Sequence, residues 1–167
     1  MSRFTETLMV SPMNDGRTWI TRAVFGYDVE KQGSRDKIDV PIDFMTDFAS
    51  VPGPFTSILP HWGKYGNAAV IHDYLYWEQL RTRKEADVIF LKGMENLGVS
   101  WLVRNLMYWM VRWFGGCAWK GNQTIKIKKS SRFAKPGPIK SYEKAKAVRA
   151  PLEYVQKNIP EGVGKLF

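Results

Sequence analysis

Two short segments limit what this chain can fold into: Thr46-Asp47-Phe48-Ala49-Ser50-Val51-Pro52 and His72-Asp73-Tyr74-Leu75-Tyr76, the second followed by Lys84-Glu85-Ala86-Asp87. Each sets ionisable side chains inside strongly apolar sequence. An unpaired buried charge costs several kcal/mol or is driven neutral, so these groups are expected to meet one another in the fold. Asp47 and His72 are the expected partners. A polar network that locks the fold, a metal site and an acid–base site all remain open as readings of the cluster.

Organisation follows from periodicity and breakers. Phe4 to Val10, Thr18 to Glu30 and Ile38 to Ile42 are rich in aromatic and β-branched residues, with turn chemistry at Ser11 to Gly16 and Lys31 to Arg35, which predicts an antiparallel meander. The Pro- and Gly-rich stretch Asp47 to Gly66 predicts loop, with a helical turn at Phe55 to Leu59. Asn67 then caps a helix over Ala68 to Trp77, in which His72 and Tyr76 share a face. Thr82 caps a second helix, Arg83 to Leu97, closed by Gly98, and Ser100 caps a third from Trp101 to about Phe114, closed by Gly115-Gly116. The third helix is apolar on nearly every side, but it is too short for a bilayer span and is interrupted by Arg104 and Arg112. It therefore predicts a buried or interface helix rather than a transmembrane one. Thr124 to Lys128 alternates as an edge strand would.

The 167 residues suit one domain with its own core. The lone Cys117 excludes an internal disulfide framework and argues against a cysteine zinc site. Met1 to Val10 lacks the basic and apolar pattern of a signal peptide, which predicts synthesis and folding in a cytoplasm. The formal charge of +9 is confined to one end: residues 1–119 hold thirteen Lys and Arg against thirteen Asp and Glu, and residues 120–167 hold twelve against three. This predicts an α+β domain over 1–119, an N-terminal antiparallel sheet packed by about three helices, with an extended basic arm over 120–167. Ordering such an arm costs roughly 1–2 kcal/mol per residue, so it is expected to lie against another chain. Lys126, Lys128, Lys129, Arg132, Tyr142, Tyr154 and Phe167 are its expected partner-binding residues. Its charge alone would also support salt-sensitive binding of nucleic acid.

The candidate chemistry is limited. A His with two or three carboxylates, here His72, Asp73, Asp47 and Asp87, suits a divalent ion with open positions that lowers the pKa of a bound water. No His-Glu-x-x-His spacing accompanies it, and no other cofactor is indicated. Ser50 invites a catalytic triad with His72 and Asp47 or Asp73, but no Gly-x-Ser-x-Gly elbow surrounds it. His61, between Pro60 and Trp62, reads as a surface or hinge residue. Trp62, Tyr65, Tyr74, Tyr76 and Trp77 are candidates to line a groove, and Trp101, Tyr108, Trp109, Trp113, Phe114 and Trp119 recur along the third helix. Most of these rings are expected in the core, and what aromatic surface is left over marks a protein interface more readily than a cofactor site.

The motifs Thr46 to Pro52, Trp62-Gly63-Lys64-Tyr65-Gly66, Ala68 to Tyr76 and Arg83 to Phe90, taken in that order, resemble a family of phage and prophage proteins catalogued as domain of unknown function 1353. The resemblance covers about residues 38–115 and implies a bacteriophage origin and a compact α+β domain, with no catalytic assignment. The combined expectation is a non-enzymatic, phage-encoded virion component of the tail or neck, made in the host cytoplasm and held by other virion proteins in a homo- or hetero-oligomeric assembly. The alternative is a small metal-assisted hydrolase of peptidoglycan or nucleotides.

Overall fold

A computed structural model describes residues 3–33, 35–48, 63–128 and 131–133. The chain divides into the units Met1–Phe133 and Ala134–Phe167, and the described residues all lie in the first. The helical turn expected near Phe55 and the arm beyond Phe133 lie outside the described residues.

Six short strands precede three helices: β1 (Arg3–Phe4), β2 (Val10–Pro12), β3 (Trp19–Thr21), β4 (Phe25–Asp28), β5 (Lys37–Val40), β6 (Met45–Thr46), α1 (Gly66–Glu78), α2 (Arg83–Asn96) and α3 (Trp101–Ile127). This is the α+β class. The strands form two antiparallel sheets, β1-β4-β5 and β2-β3-β6, in place of a single meander. The chain changes sheets between β3 and β4, and the buried Thr21 holds that switch: its hydroxyl donates to the Pro41 carbonyl at 2.8 Å and accepts the Phe44 amide at 3.0 Å. Contacts from both β5 and β6 reach α1, so a single helix covers parts of both sheets.

Helix α1 is buried on most sides, through Ala68, Ala69, Val70, Ile71, His72, Leu75, Tyr76 and Trp77, as expected of a helix enclosed by other layers. Its N-cap is Tyr65 with no side-chain capping bond, not Asn67, which already lies within the helix. Gly93 permits the close approach of α2, because a Cβ there would meet the Ala68 Cβ at 3.0 Å. Helix α2 starts where local chemistry places it. Thr82 and Glu85 form a reciprocal capping box, and Gly98 follows the helix end at φ +67°.

The third helix overturns an expectation. It passes through Gly115-Gly116 without a break and takes in Thr124 to Ile127, the segment expected to be an edge strand. Tertiary contacts outweigh the roughly 1 kcal/mol helix penalty of each glycine. Trp119 packs edge-on against Tyr76 with ring centroids 5.1 Å apart. The Trp119 carbonyl accepts from Gln79 Nε2 at 2.8 Å, Asn122 Nδ2 donates to the Tyr76 carbonyl at 3.0 Å, and Lys126 Nζ donates to the Glu78 carbonyl at 3.1 Å. Residues 120–127, expected to begin the arm, therefore belong to this helix and dock on the end of α1. Beyond it, Phe133 bridges Phe44 while the Met45 amide donates to the Arg132 carbonyl at 2.8 Å, which returns the chain to the edge of β6.

Candidate functional site

Helical periodicity puts His72 and Tyr76 on one face of α1, and that face meets Asp87 on α2. The Asp87 side chain is fully buried. Its Oδ1 accepts from Tyr76 Oη at 2.6 Å and contacts His72 Nε2 at 2.9 Å; its Oδ2 accepts from Arg112 of α3 at 2.6 Å, with Arg83 3.6 Å away. Burial alone would raise the Asp87 carboxyl, but the hydrogen bonds from His72, Tyr76 and Arg112 outweigh it and hold the group below the ordinary carboxylate range. An ionised carboxylate only accepts, so His72 carries its proton on Nε2. Burial, followed by the bond to Asp87, pushes Tyr76 above the usual phenol value, so it stays a neutral donor. Arg83 also donates to the carbonyls of Val111 and Arg112, both at 3.1 Å, so the cluster clamps all three helices together.

The carboxylate that contacts His72 Nε2 is thus Asp87, in place of the expected Asp47. Asp47 lies by Asp73 instead, one residue further along α1 and turned roughly 100° from His72. Thr46 Oγ1 donates to Asp73 Oδ2 at 2.5 Å and accepts the Phe48 amide at 3.1 Å. Removal from water, and next the Asp47 carboxylate, raise the Asp73 carboxyl to about 8, against the opposing pull of Arg132 and Thr46. Asp73 is therefore predominantly protonated at neutral pH. Arg132 stands 3.9 Å from Asp47. Phe48 takes a left-handed conformation, φ 61°, which brings its ring into the core against Trp19, with centroids 5.7 Å apart.

Asp47, His72, Asp73 and Arg132 line one cavity of about 300 Å³, with Phe48, Phe90 and Ile125 among its apolar walls. Asp87 stands behind His72 and is not among the lining residues. Among the described residues, no three His, Cys, Asp or Glu side chains converge as metal ligands. His72 Nε2 and both Asp87 oxygens are engaged in the helix clamp. Ser50, His61, Lys129, Tyr142, Tyr154 and Phe167 lie outside the described residues. Of the expected partner-binding residues, Lys126 lies over the Trp77 ring at 5.0 Å, Arg132 faces Asp47, and Lys128 is exposed just past the helix end. Sequence reasoning missed Arg83 and Arg112 as partners of Asp87. An arginine inside an otherwise apolar helix, and an Arg four residues before an Asp, are the signals that pointed to them.

The model of the family described as protein of unknown function, DUF1353, matches residues 22–111, more than half of the chain. The chain belongs to the DUF1353 family. The match ends at Val111, within α3, and takes in His72, Asp73, Asp87 and the loop residue Asp47. No curated protein and no solved structure matches this DUF1353 chain.

A second surface lies on α3 of this DUF1353 protein. Only Met107, Met110 and Asn122 of its residues are buried. Trp101, Leu102, Leu106, Trp109, Trp113 and Phe114 are between 36% and 72% exposed. Trp109 and Trp113 pack on each other along the surface, with centroids 5.9 Å apart. No helix among the described residues is long and apolar enough to cross a membrane.

Proposed function

We propose that this DUF1353 protein is a bacteriophage-encoded, non-enzymatic component of the virion, built into the tail or neck and held there through the outer face of α3. The observation that carries this reading is the continuous run of large apolar side chains left open on that helix. A monomeric soluble protein rarely exposes so much contiguous apolar surface without a partner to cover it. The ionisable cluster at Asp87 supports the same reading, since each of its groups is committed to joining helices. Quantifying the chain in purified virions tests the proposal. It should be present at a fixed copy number per particle, and a Trp109→Ser/Trp113→Ser variant should fold but fail to be incorporated. A chain found only in infected cells and absent from particles would overturn the proposal.

One observation favours a second reading, a small hydrolase acting on peptidoglycan or a nucleotide. A protonated Asp73 beside the Asp47 carboxylate, in a cavity shared with His72, sets a proton donor next to a proton acceptor. On this reading the carboxyl pair works by proton transfer. Purified chain should hydrolyse peptidoglycan fragments or nucleotides and lose that activity in Asp73→Asn with the fold intact. The absence of turnover on both substrate classes counts against it.

A further inference from the structure

We propose that the occupant of the outer face of α3 is a second copy of this chain, paired antiparallel about a two-fold axis that crosses that face midway between Leu106 and Trp109. This rests on the reading that the face is an assembly surface and names the partner. Three features of the face lead to it.

The first is symmetry. Reflected in sequence about the midpoint between positions 107 and 108, Leu102 exchanges with Trp113 and Leu106 with Trp109, while Trp101 and Phe114 flank this stripe on opposite sides. A two-fold interface presents the same patch twice, so a stripe that reads alike in both directions is self-complementary. Each small Leu then stands opposite a large Trp, the alternation that lets facing helix surfaces interlock. The four central positions lie at spacings of four, three and four residues, which is the seam of a helix pair over two heptads.

The second is area. Leu102, Leu106, Trp109 and Trp113, exposed to this extent, leave on the order of 500 Å² of apolar surface open on the stripe. That matches the apolar share, somewhat over half, of the roughly 800 Å² that each partner buries in a stable protein interface.

The third is charge. Helix α3 contains no Asp or Glu, and the two cations within Trp101 to Phe114 are both neutralised by their own chain, Arg104 by Glu95 at 2.9 Å and Arg112 by Asp87 at 2.6 Å. The face is therefore uncharged. Two copies do not repel there, and neither an acidic partner nor an anionic bilayer finds a free cation within the stripe.

Sedimentation equilibrium of the full chain at micromolar concentration should show a dimer, and Trp113→Glu should weaken it at least about thirtyfold while circular dichroism reports an unchanged fold. In a Cys117→Ser background, mixing Leu102→Cys chains with Trp113→Cys chains should yield an intermolecular disulfide that neither chain yields alone. A monomeric wild-type chain overturns the pairing, and if that monomer is still found at fixed copy number in virions, the virion reading stands without it. A dimer absent from virions supports the pairing and removes the virion reading instead. Crosslinking of Leu102→Cys chains to one another would indicate a parallel pair and overturn the antiparallel geometry. Monomers that bind phosphatidylglycerol vesicles, and cease to do so as Trp113→Glu, would assign the face to lipid and overturn the proposal.

Discussion

Replacing Asp87 with Asn keeps the size of the side chain and removes its charge, which makes the substitution a direct test of the helix clamp. One carboxylate oxygen serves Tyr76 and His72, and the other serves Arg112 with Arg83 close by. An asparagine can accept on one side only, so its amide nitrogen must face donors on the other. Removing one partner of a buried ion pair costs about 3–5 kcal/mol. The two arginines are about a quarter exposed, so water recovers part of their solvation, and the lower end, about 3 kcal/mol, is the expected loss. Urea unfolding followed by tryptophan fluorescence measures it as a fall in midpoint with an unchanged slope. The pH dependence supplies a second readout. Because the folded-state pKa of Asp87 is depressed, its contribution is present in full above the ordinary carboxylate range and is lost as pH falls through the folded value. The variant should therefore lose stability at neutral pH and show less further loss in acid than the wild type. A neutral-pH loss under 1 kcal/mol, or an acid limb identical in both proteins, would show that the clamp does not hold the helices as described.

Two further outcomes follow from the geometry. Asp73 has a raised folded-state pKa, so the folded chain keeps a proton that the unfolded chain releases, and its carboxyl subtracts stability as pH climbs from the ordinary carboxylate range to about 8. Asp73→Asn should flatten the melting temperature across that interval, and an unchanged slope would mean that the carboxyl is not protonated. The adjacent glycines of α3 should behave oppositely: a Cβ at Gly115 would lie 2.5 Å from Tyr76 Oη, so Gly115→Ala should cost about 1–3 kcal/mol. Gly116→Ala, with nothing within 4 Å, should gain up to about 1 kcal/mol from helix propensity, and equal effects in thermal melts would refute the packing account.

Where the governing interactions are local, the sequence alone determined the outcome. Thr82 and Gly98 delimit α2 through contacts within a turn of each end, and they read the same way in the chain and in the fold. The rule against lone buried charges likewise required His72 to have a carboxylate partner. Which carboxylate was a tertiary decision, because Asp47 and Asp87 are both distant in sequence from His72 and only the packing of α2 on α1 brings Asp87 to its ring. The continuation of α3 was decided in the same way. Gly115-Gly116 carries a local signal to stop, and it is overruled by Gln79, Tyr76 and Glu78, roughly forty residues away in sequence, which gain hydrogen bonds and ring contacts only if the helix runs on. Local sequence specifies caps and turns because the interacting groups are already neighbours. The partners of buried charges and the length of a docked helix depend on surfaces that exist only once the chain has folded.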